Sequence, residues 1–207
     1  MEEVSRLRML FNRINYFRTL PVYLSIRASQ HRTLIGMDIN RWKTILAGEM
    51  DPASAKTPFA TLNWLLLNKP EFRNLLLHRF RKPPKTIPSV LHFLLTRIFW
   101  KPMESLYIQT EDIGGGLFIQ HGFATIICAE HIGENCWINQ QVTIGYRDLD
   151  CPTLEDNVSV HCGAKVLGKL TMGKNSIAAA GAVVIRDVPE NAIVGGVPAK
   201  VIKTRSS

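Results

Sequence analysis

The sequence predicts a mainly β protein, in which a parallel β-helix of hexapeptide repeats follows an α-helical N-terminal domain. Two observations predict this fold. From Ile132 onward an apolar residue returns every six positions, and asparagine or glycine follows it three positions later at several corners. A six-residue period fits neither an α-helix nor a hairpin of alternating strands. It fits a triangular coil of about 18 residues, built from three hexapeptides. The apolar positions are Ile132, Ile138, Ile144, Leu154, Val160, Val166, Met172, Ala178 and Val184, and the corner residues are Asn135, Asn157, Gly163, Asn175 and Gly181.

The repeat is interrupted at two places. Upstream, Ile113, Ile119 and Ile126 continue the period with one additional residue. Between Ile144 and Leu154 the spacing is ten instead of six, which predicts a loop of four additional residues within 146–153. Insertions in solenoid proteins project from one edge, which is often the functional one.

The first half of the chain has helical periodicity. Apolar residues from Leu10 to Phe17 are spaced as on one helix face, and the segments 59–80 and 88–100 show the same pattern. Segments 50–54 and 82–86 are predicted to be connecting loops because they contain proline among small and polar residues. We therefore expect two domains, a helical one over 1–103 and a β-helical one over 104–207.

The net charge of +8 is unevenly distributed between these halves. Residues 1–103 contain 17 basic and 6 acidic side chains, whereas residues 104–207 contain 8 and 11. A basic helical half is compatible with a solvated surface, or with peripheral contact to an anionic membrane or an anionic glycan. Nucleic acid is not expected as a partner, because no recognition motif accompanies the charge.

The N-terminal segment and the spacing of the cysteines are those expected of a cytoplasmic protein. The N-terminus begins with an acidic pair and has no apolar core segment, so we expect no secretory signal. The most apolar stretch, 87–100, has fourteen residues, and a bilayer-spanning helix needs about 20. The four cysteines lack a disulfide-framework spacing, and we expect reduced thiols.

Three segments resemble one enzyme family. They are a glycine run that ends in a histidine (Ile113–Gly122), the segment Ala164–Gly168, and the Gly-Gly-Val-Pro-Ala-Lys segment at 195–200. Over 113–202 the chain resembles the catalytic domain of bacterial serine acetyltransferases and of their polysaccharide-modifying relatives. The resemblance implies a left-handed β-helix and a homotrimer or hexamer. It also implies direct acetyl transfer from acetyl-CoA, as co-substrate, to a hydroxyl group.

The resemblance also assigns roles to individual residues. His121 matches the general base, since a neutral imidazole can take the proton of an attacking hydroxyl. Gln120 precedes it and could orient the ring. Four residues are implied to contact coenzyme A: Gly145, Cys162, Ala180 and Lys200. No metal is expected, because His121, His131 and His161 lack the spacing of zinc ligands.

The departures from the family pattern concern the acceptor. Serine acetyltransferases place aspartates where this chain has Leu106 and Gln120, and an arginine where it has Asp150, which would repel a carboxylate. We therefore expect a sugar hydroxyl as acceptor, in the synthesis of a surface polysaccharide. The residues expected to bind the acceptor lie near these departures: Asn139, Gln140, Gln141, Tyr146, Asp150 and Cys151.

Three alternatives remain open at this point. The first is a serine O-acetyltransferase of cysteine biosynthesis. The second is a non-catalytic trimeric β-helix scaffold. The third is a binding module, in which the basic half docks on an anionic partner and the β-helix only assembles the subunits.

Overall fold

The computed structural model describes residues 2–81, 94 and 97–205, with side chains from residue 15 onward. The chain divides into two compact units. The first contains Met1–Ile39 and Lys43–Pro102, and the second contains Asn40–Trp42 and Met103–Ser207. The boundary that the sequence predicts after residue 103 stays a prediction. The loop predicted at 82–86, and most of the helix predicted at 88–100, lie outside the described residues.

The N-terminal half is helical, as predicted. Its helices are α1 (Glu2–Ala28), α2 (Arg32–Ile45), α3 (Pro58–Asn68) and α4 (Pro70–Phe80). The segment 59–80, predicted to be helical, is divided at Lys69, which has the extended values φ −124 and ψ 90. Pro70 explains the break, because proline disfavours the α conformation of the residue before it. No helix among the described residues is long and apolar enough to cross a membrane.

The helical unit combines an apolar core with a buried ion pair. Leu65 of α3 and Leu75 of α4 are fully buried. Arg79 donates two hydrogen bonds to the carboxylate of Asp38, at 3.0 and 3.2 Å, and both side chains are at most 5% exposed. A charge-assisted fork of this kind satisfies two buried charges at once. Loss of either partner would remove both hydrogen bonds of this fork, so the pair holds α2 against α4.

The second unit is a parallel β-helix of three sheets. Every ladder is parallel except the last, in which β15 runs antiparallel to β14. The first sheet contains β1 (Leu106–Ile108), β4 (Thr125–Ile127), β7 (Thr143–Gly145), β10 (Lys165–Leu167) and β13 (Val183–Val184); the second contains β2 (Asp112–Ile113), β5 (His131–Ile132), β8 (Thr153–Leu154) and β11 (Thr171–Met172); the third contains β3 (Phe118–Ile119), β6 (Trp137–Ile138), β9 (Ser159–Val160), β12 (Ile177–Ala178), β14 (Ala192–Gly196) and β15 (Ala199–Thr204).

The repeat positions form the core of this β-helix, as predicted. All nine apolar positions from Ile132 to Val184 are at most 2% exposed. The register stacks them coil upon coil, so that Ile144 lies beside Val166 and Ile138 beside Val160. The five predicted corner residues all have a positive φ, from 57° at Asn135 to 72° at Gly163. Asparagine and glycine adopt this conformation at low cost, which explains their recurrence.

One repeat position is predicted wrongly. Ile126 is 42% exposed, and the inward position belongs to Ile127, which is fully buried and pairs with Ile144. The first coil therefore has one more residue before this strand than the sequence pattern suggests. The predicted loop in the third coil is confirmed: it lies between β7 and β8, and Leu149 at its tip is 92% exposed.

Candidate active site

Each coil passes through the three sheets in the same order, so residues from equivalent corners collect along one edge of the prism. We call the corner between the third and first sheets the His121 edge. It contains residues 120–124, 139–141, 161–163 and 179–181. We call the corner between the first and second sheets the loop edge, and it includes residues 145–152.

His121 belongs to a two-residue insertion at its edge. From Ile119 to Ile127 the chain advances eight positions, whereas it advances six from Ile138 to Ile144. The next coil fixes where the additional residues lie, since the N–H of Gln141 donates to the carbonyl of Phe123 at 3.0 Å. Phe123 is thus the counterpart of Gln140, which leaves His121 and Gly122 without counterparts in that coil.

The backbone at this insertion is tightly turned. His121 has φ 58, and its carbonyl accepts a hydrogen bond from the N–H of Phe123 across Gly122. Histidine is one of the non-glycine residue types found in this left-handed region, and Gln141 has nearly the same φ, of 59°, in the next coil. The side chain of His121 is exposed and makes no hydrogen bond or ion pair within the described part of the chain. The insertion therefore presents an accessible imidazole.

Amide side chains stack beside this histidine. Asn139 Nδ2 donates to Gln120 Oε1 at 3.3 Å, so Gln120 pairs with the next coil. The side-chain oxygens of Asn139 and Gln140 are buried and accept no hydrogen bond from the described residues. Buried acceptors without donors are rare, and a water or a ligand group commonly satisfies them. A role of Gln120 in orienting His121 stays a prediction.

Two of the residues expected to contact coenzyme A lie on the same edge as His121. The N–H of Gly181 donates to the carbonyl of Cys162 at 2.9 Å, and the N–H of Gly163 donates to that of Gln140 at 3.1 Å. These bonds stack Gln140, Cys162 and Ala180 at equivalent corner positions of successive coils. Cys162 is half-buried and Ala180 is exposed. The column has small side chains toward its end, as a narrow groove requires.

Other predicted site residues lie elsewhere. Gly145, Tyr146, Asp150 and Cys151 are all on the loop edge. Lys200 is exposed on the terminal strand β15, opposite Gly195 of β14. One chain therefore does not bring the loop residues next to His121, and a site that used both edges would need two copies. The order of the strands could have predicted this separation of the loop from His121, because the loop follows a strand of the first sheet and His121 follows a strand of the third.

The loop edge contains weakly acidic groups. A hydrogen bond with the thiol of Cys128 raises the pKa of Tyr146. Partial burial raises the pKa of Cys151, and the nearby Cys128 adds to that effect. The loop closes on itself through backbone hydrogen bonds between Arg147 and Asp150 at 3.0 and 3.3 Å. Because the pKa values of Tyr146 and Cys151 are raised, these groups are neutral near pH 7, and the charge of the loop comes from Arg147, Asp148 and Asp150.

The two other histidines of the β-helix lie on different parts of it. His131 lies on the second sheet, where its Nδ1 is 2.7 Å from Asp112 Oδ2 on the exposed surface. His161 is exposed on the His121 edge, at the corner position equivalent to Asn139. Within the described ranges no group of three or more His, Cys, Asp or Glu side chains could hold a metal ion.

Comparison with known proteins places the chain in a family. No family model matches the sequence. The chain is 33% identical to a serine acetyltransferase of Staphylococcus xylosus over 161 residues, which cover 75% of this chain and 72% of the relative. The chain belongs to the serine acetyltransferase family. A second relative, the serine acetyltransferase of Synechococcus elongatus, is 38% identical over 151 residues, which cover 67% of this chain and 59% of the relative.

The solved structures agree with this family. The crystal structure of the serine acetyltransferase from Brucella abortus has a TM-score of 0.60 and 25% identity, covering 88% of this chain and 73% of that one. This likeness confirms the predicted left-handed β-helix with N-terminal helices. The similarity is to serine acetyltransferases and does not support the narrower resemblance to polysaccharide acetyltransferases. The chain spans about three fifths of the Synechococcus relative, 59% of its length.

Proposed function

We propose that the chain is an acetyl-CoA-dependent O-acetyltransferase. The observation that carries this proposal is the accessible imidazole of His121, which a two-residue insertion presents at the edge that also contains Cys162 and Ala180. The neutral imidazole takes the proton of the acceptor hydroxyl as its oxygen attacks the thioester carbonyl. The carbon–sulfur bond then breaks, and the imidazolium returns the proton to the departing sulfur, so that the coenzyme leaves as a thiol and the base is regenerated. The products are an acetyl ester and free CoA.

Two copies of the chain would complete this site. His121 and the predicted loop residues lie on different edges, so the loop edge of one subunit would face the His121 edge of the next. A homotrimer, or a hexamer of two trimers, is the assembly that we propose. We also propose a cytoplasmic location, in which the cysteines remain reduced and the basic half is available to an anionic membrane or glycan.

Two acceptors have support of different kinds. The names of the relatives favour L-serine, and it is the first acceptor to test. The residues of this chain favour a neutral sugar hydroxyl. Leu106 is only 4% exposed in β1 and offers no carboxylate, and Gln120 pairs with the neutral Asn139. A neutral amide corner can hydrogen-bond hydroxyl groups, but it provides no charge for a zwitterionic amino acid.

The decisive experiment measures free CoA thiol release from acetyl-CoA by wild type and by His121→Asn. Asparagine tolerates the positive φ of this position, so it removes the base without adding backbone strain. We expect kcat to fall by about 10²–10⁴-fold, while acetyl-CoA affinity stays within about twofold. Equal turnover by both proteins would refute the role of His121. A wild-type protein with no turnover on any acceptor would favour the scaffold alternative.

The same assay identifies the acceptor. L-Serine and a panel of methyl pyranosides are compared at equal concentration with the wild-type protein. Saturable turnover of L-serine alone would establish the serine acceptor and refute the sugar. Turnover of a pyranoside without turnover of L-serine would establish the opposite.

A further inference from the structure

A cavity lies outside the first sheet, directly after the His121 corner. It has a volume of about 500 Å³, and its lining residues are Glu104, Ser105, Tyr107, Ala124 and Ile126. Cavities of roughly 300–1,000 Å³ are the size that small ligands occupy in proteins. None of the residues predicted from the sequence to bind the acceptor lines this cavity.

The cavity is connected to His121 through the chain itself. Ala124 is the third residue after His121 and also has a positive φ, of 52°. The hydrogen bond from Phe123 to the carbonyl of His121 holds these residues in one turn. The wall of the cavity therefore begins at the insertion that presents the proposed base.

The lining combines an aromatic face with hydroxyl-binding groups. Tyr107 and Ile126 are opposite each other in the register of β1 and β4, and are 56% and 42% exposed. Adjacent strands are about 4.8 Å apart, so the two side chains form one continuous apolar surface. Glu104 and Ser105 are on the same wall. A carboxylate accepts hydrogen bonds from two neighbouring hydroxyls, and the serine hydroxyl can donate or accept.

The charge of this lining discriminates between the two acceptors. Among the described lining residues Glu104 is the sole charged side chain, and it is negative. A free amino acid would find no cation for its carboxylate in this lining, and only its ammonium group could pair with Glu104. A pyranose ring has an apolar face of C–H groups, which suits Tyr107 and Ile126, and hydroxyls at its rim, which suit Glu104 and Ser105.

We propose that this cavity is the acceptor subsite and that it binds a pyranose sugar, with the acetylated hydroxyl directed toward His121. The inference rests on the acetyl transfer proposed above and selects the sugar as its acceptor. It assigns Tyr107 as the stacking residue and Glu104 as the acceptor of sugar hydroxyl protons. Neither residue is expected to influence acetyl-CoA binding.

The test is ligand-observed saturation-transfer NMR without acetyl-CoA, with methyl glucopyranoside and methyl N-acetylglucosaminide as probes and L-serine as the comparison. We expect both pyranosides to bind wild type with dissociation constants of about 1–10 mM. Tyr107→Ala should weaken this binding by about tenfold, and the matched variant Tyr107→Phe should retain it within about twofold. Glu104→Gln should weaken it by a smaller factor.

Three results of this experiment would overturn the inference. One is the absence of pyranoside binding up to about 100 mM. Another is equal binding by wild type and Tyr107→Ala. A third is a Tyr107→Ala protein whose oligomer dissociates in sedimentation while its pyranoside affinity is unchanged, which would make the cavity a subunit contact. Because binding is measured without acetyl-CoA, pyranoside binding without turnover would refute the proposed function alone. Serine turnover without pyranoside binding would refute this inference alone.

Discussion

The substitution Gly133→Ala tests how closely successive coils approach each other. A Cβ atom at Gly133 would lie 2.6 Å from the backbone nitrogen of Asp156 and 2.6 Å from the carbonyl carbon of Glu155. Non-bonded atoms normally stay about 3.5–4.0 Å apart, so the overlap is close to 1 Å. Both contacts are backbone atoms and cannot rotate away. The coils must separate at this corner, which weakens the hydrogen bond from Gly133 to Leu154 at 2.8 Å.

We expect this separation to reduce the free energy of unfolding by about 2 kcal/mol, as overpacking in a tight interior does. For a chain of this size the melting temperature should fall by about 4–8 °C in calorimetry. The matched control is Gly145→Ala, because a Cβ there meets no atom within 4 Å. The control should melt within about 1 °C of wild type. Its acetyl-CoA affinity should fall by about tenfold if Gly145 lines the coenzyme groove.

Two results would refute this reasoning. A Gly133→Ala protein that melts like wild type would show that the coils can open at this corner without loss of stability. A Gly145→Ala protein that binds acetyl-CoA normally would show that Gly145 is outside the coenzyme groove, whatever its effect on folding.

Two further predictions concern the cysteines and a surface carboxylate. Iodoacetamide at pH 8 should label the half-buried Cys162 and leave Cys136 unlabelled, because burial raises the pKa of Cys136 to about 12. Acetyl-CoA should protect Cys162 from this labelling. Peptide mass spectrometry that finds no protection would contradict the coenzyme role of Cys162. The hydrogen bond from the N–H of Glu134 lowers the pKa of Asp156, so its charged form stabilises the fold at neutral pH, and this stabilisation is lost progressively as the pH falls from 3.8 through the lowered pKa. Asp156→Asn should therefore lower stability at pH 7 by less than about 1 kcal/mol, since the side chain is 43% exposed. In urea titrations the loss should be smaller at pH 3 than at pH 7, and an equal loss at both pH values would contradict the charge argument.

Several features of the fold are recoverable from the residues alone. The inward column from Ile132 to Val184 follows from the period, because every coil must bury the same position against the next. The positive φ at Asn135 and Gly163 follows from residue type, because few other side chains tolerate that conformation. The loop after Gly145 follows from a spacing of ten.

The helices of the N-terminal half can be predicted less completely from the sequence. Helical periodicity identifies the segment 59–80, but its division at Lys69 depends on the local effect of Pro70. Helix α2 has no comparably regular apolar pattern, and sequence analysis did not predict it. Its position depends on tertiary contacts such as the buried pair of Asp38 with Arg79, whose partners are 41 residues apart.

By itself, the sequence determined that this protein is a hexapeptide β-helix, because the fold depends on local spacing and residue type, which a linear pattern records. The resemblance to serine acetyltransferases indicated His121 as the candidate base. Only the tertiary structure decided which residues share an edge, because that depends on the number of faces between them. It separated His121 from Tyr146 and Asp150, and it replaced Ile126 by Ile127 in the core. The pairing of β1 with β4 also brought residues 104–107 beside residues 124–126, and these two segments together line the cavity.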